Sequence, residues 1–387
     1  MVSRNLKTAS ALIAVAALVL TVLCSTSGGA QTKKQRPRSA AKPGGNTTAK
    51  YKGIFEPIPY PEDVELLDVD FANEKVGWAA GGTSTMKGGF ILATKDEGAT
   101  WKVQAGDPQS EDRAMRELRF SDEKNGWAVQ PTGQAAKLLH TSDGENWTEV
   151  GSIPEHYTDY QFVSPTAGFV AEGSKIFGTS DAGHTWTPGY QCATKLEVKG
   201  LAREVECDIA AFSFLSPQLG YAIGNSSQAP GVFMLKTQDG GANWNVWLVL
   251  PDENGRESAI HFSDENNGAL RTGGKFFATS DGGKTWNGVV GATVRGKPPM
   301  RFAGSVGWSI GYNTLAFTTN KGKRWTTRSI PFPAQAQGWT LPKPDRAYVV
   351  GEHGMAYRYR VVPSSFTAPK AIEGPAMPSS TGEASPQ

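Results

Sequence analysis

The chain has 387 residues with 45 glycines, 11 tryptophans and only 20% charged residues, which suits a turn-rich β protein and argues against a helical one. Lys and Arg total 39 against 37 Asp and Glu, but eight of the basic residues and none of the acidic ones fall in 1–50. The rest therefore holds 31 basic against 37 acidic residues, a net of −6. A mildly acidic body argues against nucleic acid as a partner.

The chain opens with Arg4 and Lys7, followed by the apolar run ASALIAVAALVLTVLC. That run has the length of a signal-peptide core and falls short of the roughly 20 residues a membrane span needs. Gly28-Gly29-Ala30 supplies the small residues of a cleavage site, so residues 1–30 are expected to be a signal peptide, with an uncleaved membrane anchor as the alternative. The bulky Leu23 argues against a lipoprotein site at Cys24. The expected location is periplasmic or extracellular. Residues 31–50, QTKKQRPRSAAKPGGNTTAK, have almost no apolar content and read as a flexible basic linker.

From there a box recurs. TSDGGKTW at 279–286 returns with small changes, its acidic position at Asp96, Asp143, Asp181, Asp239 and Asp281 and its tryptophan at Trp101, Trp147, Trp186, Trp244 and Trp286. A sixth copy places Asn320 in the aspartate position, before Trp325. The steps between acidic positions are 47, 38, 58, 42 and 39 residues. Upstream of each box lies a short run ending in Phe (LLDVDF, RELRF, TDYQF, AAFSF, SAIHF, PMRF), then a polar turn and a Gly that usually precedes an aromatic residue, as in Gly77-Trp78. A third run leads into the box, and the tryptophan opens a fourth. Four short strands per repeat of this length is the arithmetic of a propeller blade.

Six boxes do not mean six blades. QAQGWTL and RAYVVGEHGMAYRYRVV supply three strands of a last blade, and YKGIFEPIP at the N-terminal end of the body supplies the fourth. The expected fold is all-β, a seven-bladed β-propeller of four-stranded blades over residues 51–362, closed by its N-terminal strand. The Pro- and Ser-rich residues 363–387 read as a disordered tail.

The boxes read as structural. An Asp can accept N–H groups across its own turn, Gly282 and Gly283 allow backbone angles other residues resist, and Trp286 buries a large ring. Asn320 fits this reading, since an amide caps a turn but cannot act as an acid. In an exported chain, Cys192 and Cys207 suggest a disulfide pinning an insertion, which accounts for the 58-residue step.

A binding site is expected at the channel mouth. The residue before each strand-ending Phe is Asp70, Arg119, Gln161, Ser213, His261 and Arg301, and alternation along a strand turns this polar ring toward the central channel. The fifth blade departs from the pattern twice, with Ala269 in an aromatic position and Arg271 in an apolar one. A buried guanidinium must pair or reach a wet cavity. Arg119, His261, Arg271 and Arg301 are therefore candidates for a basic site for carboxylate or phosphate groups; the competing reading is that Arg271 pairs internally, for example with Asp70 or Glu172, or lines a water-filled channel. The five histidines lack metal-ligand spacing, so no metal or cofactor is expected.

The boxes resemble the Asp-box, or BNR, repeat of sialidases and related glycosidases. Together with FANEKVGWAAG, FSDEKNGWAVQ and FLSPQLGYAIGN, they resemble the photosystem II stability/assembly factor family. That resemblance implies an exported, seven-bladed, non-catalytic propeller that binds a protein partner while a membrane complex assembles. A protein or peptide partner and a monomeric state are expected. A BNR-repeat glycosidase or a non-catalytic carbohydrate-binding propeller are the alternatives, although the Phe-Arg-Ile-Pro signature of sialidases is absent: FEPIPYP lacks the arginine.

Overall fold

The computed structural model describes residues 50–60, 62–198, 201–255, 257–296, 299–330 and 332–367. The expected signal segment, nearly all of the basic linker and the tail beyond 367 lie outside the described residues.

Seven four-stranded antiparallel sheets follow one another around a ring. The inner strands of blades one to six are Val64–Phe71, Glu117–Phe120, Asp159–Phe162, Asp208–Phe214, Ala259–Phe262 and Arg301–Ala303. Blade seven takes Ala336–Lys343, Arg346–Gly351 and Ala356–Pro363 from the C-terminal end and Tyr51–Pro57 as its outer strand. Tyr51 lies opposite Pro363 and Pro57 opposite Tyr357, so the first strand covers an edge that would otherwise present unpaired backbone groups. Between blades three and four a hairpin, Ala193–Val198 with Leu201–Glu206, is inserted. Cys192 and Cys207 are disulfide-bonded at its base with Cα atoms 5.3 Å apart, and both are fully buried.

The recurring Phe is the centre of an aromatic trio. Its face stacks on a ring from the second strand of the preceding blade: Trp78 on Phe120 at 3.6 Å between centroids, Trp127 on Phe162 at 3.7 Å, Tyr221 on Phe262 at 3.6 Å and Tyr348 on Phe71 at 3.5 Å. Its edge meets the box tryptophan of its own blade, as in Phe262–Trp286 at 6.0 Å and Phe302–Trp325 at 5.9 Å. Offset-stacked and edge-on contacts add stability beyond the area they bury. The Gly of the Gly-aromatic step lies against the same ring. A Cβ on Gly126 would sit 2.3 Å from Phe120, so only glycine allows the approach.

The boxes are turns tied by their own side chains. Asp281 Oδ1 accepts the Thr285 N–H at 3.0 Å and the Thr279 hydroxyl at 2.8 Å, while Oδ2 accepts the Thr285 hydroxyl at 2.6 Å. Asn320 keeps only part of this set, accepting from Thr318 and the Arg324 N–H. Against the pull of burial, these donors hold the Asp281 carboxyl down at about 2.

Candidate functional site: the central channel

The inner strands line a channel of two cavities. One, of about 470 Å³, opens where the inner strands begin; the other, of about 530 Å³, opens where they end. They share Arg119, Asp159, Phe212, Ile260, Met300 and Arg301, which form a waist.

Polar side chains on the inner strands take up the backbone of the next blade. An inner strand has no neighbour on its channel side, so its N–H groups there need other acceptors. Asp68 Oδ2 accepts the Leu118 N–H at 3.1 Å and Asp70 Oδ2 accepts that of Phe120 at 2.9 Å. Asp159 accepts from Phe212 at 2.9 Å, Gln161 from Phe214 at 3.1 Å and Ser213 from Phe262 at 2.8 Å. The ring of polar residues thus stitches blade to blade as well as facing the channel. Burial pushes the Asp159 carboxyl up to about 6 and raises that of Asp70.

The four candidate cations have four different environments. Arg119 is spoken for: Nη1 donates to Asp68 at 2.8 Å and to the Leu118 carbonyl at 2.8 Å, Nη2 donates to Glu117 at 3.2 Å, and the guanidinium lies 5.5 Å from the centre of the Tyr160 ring. Arg301, by contrast, donates no hydrogen bond and has no carboxylate within 4.0 Å among the described residues. Asp68, Asp70 and Asp159 act on it from further away.

His261 lines the cavity where the inner strands end but is stacked on Phe302 at 4.0 Å, and burial lowers its pKa to about 4. It is a neutral ring near pH 7. Directly across the strand pair stands Ala269, in the position where other blades place the stacking aromatic, so the imidazole fills the place of the missing ring. Arg271 lies apart from the channel. It is fully buried, and Nη2 donates to the carbonyls of Val294 at 2.9 Å and Gly296 at 2.6 Å. It lines neither cavity and pairs with neither Asp70 nor Glu172. The channel therefore brings together Arg119, His261 and Arg301, only one of which is an uncommitted cation, and it adds carboxylates that sequence reasoning missed. Asp68, Glu117 and Asp159 precede the polar ring by two residues, the strand period that puts them on the same face; that period was the available signal. Among the described residues no cluster of His, Cys, Asp and Glu is suited to hold a metal ion.

The family model described as photosynthesis system II assembly factor YCF48 matches residues 48–188 and, overlapping, 152–307. The chain belongs to this YCF48 family. Among curated proteins, the chloroplast photosystem II stability/assembly factor HCF136 of Arabidopsis thaliana is 24% identical over 346 residues, covering 80% of this chain and 79% of the relative. Its counterpart in Oryza sativa subsp. japonica is 29% identical over 145 residues, covering 35% and 32% of the two chains. Two solved YCF48 structures share the fold. One, bound to a D1 peptide, has a TM-score of 0.57 and 18% identity over 80% of this chain and 95% of its own. The other, from Cyanidioschyzon merolae, has a TM-score of 0.56 and 19% identity over 79% and 98%.

Proposed function

We propose that the chain is a non-catalytic propeller scaffold that holds a protein or peptide partner at its central channel while a membrane complex assembles. The observation that carries this reading is YCF48-family membership across residues 48–307. One family structure is described as bound to a D1 peptide, and the channel here offers a partner the uncommitted guanidinium of Arg301. The use of acids supports the non-catalytic part. A glycosidase needs two carboxylates free to act on one substrate. Here Asp68 accepts from the Leu118 N–H and Arg119, Asp70 from the Phe120 N–H and the Thr340 hydroxyl, and Glu117 from Arg119 and the Tyr157 hydroxyl, which leaves Asp159, with one N–H, as the single lightly engaged carboxylate of the four. The export of a monomer from which residues 1–30 are removed, or its tethering through them, belongs to the same proposal. N-terminal sequencing of the mature protein and its mass in solution test that part.

The test of function uses residues 31–387 as bait against the solubilised cell envelope, beside Arg301→Met with its fold checked by circular dichroism. Capture of an identified membrane-complex subunit by the parent, reduced with the variant, supports the reading. Capture of nothing, together with hits on a glycan array, overturns it in favour of the carbohydrate-binding alternative.

A further inference from the structure

The waist of the channel holds two open polar valences of opposite kind. Of the three ionisable residues that line both cavities, Arg119 gives three of its five N–H donors to Asp68, Glu117 and the Leu118 carbonyl and has its charge offset by the two carboxylates. Asp159 accepts one hydrogen bond, from the Phe212 N–H, which leaves it acceptor capacity. Among the described residues Arg301 uses none of its donors, and the two side chains are not within ion-pair distance of each other. The remainder of the waist is apolar: Phe212, Ile260 and Met300.

We propose that this waist is a receptor for a primary amide, the side chain of a partner's glutamine. This rests on the reading of the channel as a protein-binding site. The amide carbonyl accepts from Arg301, the amide NH₂ donates to Asp159, and the glutamine methylenes lie against Ile260 and Met300. Charge selects against the alternatives. A carboxylate on Arg301 would feel Arg119 as a second cation, but Arg119 is already offset by Asp68 and Glu117, and the carboxylate would face Asp68, Asp70 and Asp159, which also act on Arg301. An ammonium on Asp159 would face Arg119 and Arg301, with Glu117 as the one further carboxylate acting there and already engaged by Arg119 and Tyr157. A neutral group with one acceptor and one donor meets both walls without either repulsion, and a site built to pair both ends rejects a ligand that leaves one end unpaired.

The experiment is a nuclear magnetic resonance titration of the full chain without its first 30 residues. The probes are three capped tripeptides: acetyl-Ala-Gln-Ala-amide, acetyl-Ala-Glu-Ala-amide and acetyl-Ala-Lys-Ala-amide. The readouts are the Arg301 Nε–H and the Phe212 amide, whose proton rests on Asp159. The expected result is a shift of both signals by the glutamine peptide, with binding about tenfold weaker or more for the glutamate and lysine peptides. Arg301→Met and Asp159→Asn should each bring the glutamine peptide down to the level of the other two. Equal binding of all three, or tighter binding of either charged peptide, overturns the proposal, as does the absence of any shift at millimolar peptide. The parent titration needs no variant to fold. Capture of a membrane subunit without glutamine preference would sink the amide receptor and keep the scaffold. Glutamine preference without capture would do the reverse.

Discussion

The Asp70 carboxylate accepts the backbone N–H of Phe120, on the neighbouring blade, at 2.9 Å. A second oxygen contact, the Thr340 hydroxyl at 2.9 Å, ties the same carboxyl to blade seven. One side chain therefore joins three consecutive blades around the channel. Asp159 repeats the device with Phe212. Its pKa, pushed up by burial to about 6, means that the folded chain holds that proton more tightly than the unfolded one, with Arg119 offsetting only part of the cost. The stability this contributes is present below the unfolded value near 4 and is lost as pH rises through about 6. Asp159→Asn keeps an oxygen for the Phe212 N–H and removes the charge. Relative to the parent, the variant should gain about 3 kcal/mol in urea unfolding as pH rises from 4 to 7, a shift of about two units. Parallel stability curves for the two proteins would refute the assignment.

His261 titrates with the opposite sign. Burial lowers its pKa to about 4, so the folded chain keeps it neutral and stability is lost as pH falls from the ordinary value of 6.5 toward 4. His261→Phe restores to blade five the ring that Ala269 lacks and removes the titration. The variant should be at least as stable as the parent at pH 7 and more stable by about 2–3 kcal/mol at pH 4. A His261 ring signal moving through pH 6–7 in the parent would show that the imidazole is not held neutral.

Arg271 and Arg301 should separate stability from binding. Arg271→Met removes the donor of the Val294 and Gly296 carbonyls, at a cost of about 1–3 kcal/mol for buried acceptors left unmade. It leaves the channel lining intact, so capture of the partner should be unchanged. Arg301→Met removes a guanidinium that donates no hydrogen bond among the described residues and should leave the unfolding midpoint nearly unchanged while lowering capture. Loss of capture with Arg271→Met at full folding would return that residue to the site.

The fold was legible because its grammar repeats. The Phe, the Gly-aromatic step and the box recur at positions the three-dimensional ring also repeats, so strand number and ring closure follow from counting. The stacking of Tyr221 on Phe262 was not legible, because it joins two repeats and each looks complete alone. The site was less legible for the same reason. Arg119 and Arg301 occupy the same place in their repeats, yet one is neutralised and the other is not, because Asp68 reaches Arg119 from blade one. Arg271 stood out as an anomaly, and its partners proved to be main-chain carbonyls of the following segment, which have no side-chain signature.

The first strand closes the ring by side chains as well as backbone. Phe55 packs with Phe332 at 5.1 Å and Tyr359 at 5.2 Å, and the Arg328 guanidinium lies 5.4 Å from the Phe55 ring centre. Glu56 pairs with Arg360 and with Arg358 at 3.2 Å, and Arg358 also reaches Glu97 in the box turn of blade one at 2.9 Å. Burial works against the Glu56 charge, but the two arginines hold its carboxyl below the usual range. A chain beginning at Ile58 should therefore lose its single cooperative transition. It should also expose the edge of Ala356–Pro363 and self-associate through it, as unpaired edges do. The peptide YKGIFEP added in trans should restore both the midpoint and the monomer, because the strand carries its own register from Tyr51 opposite Pro363 to Pro57 opposite Tyr357. Light scattering after size-exclusion chromatography, with and without peptide, measures this directly. A truncated chain that stays monomeric and unfolds like the parent would show that a three-stranded seventh blade closes the ring without the first strand.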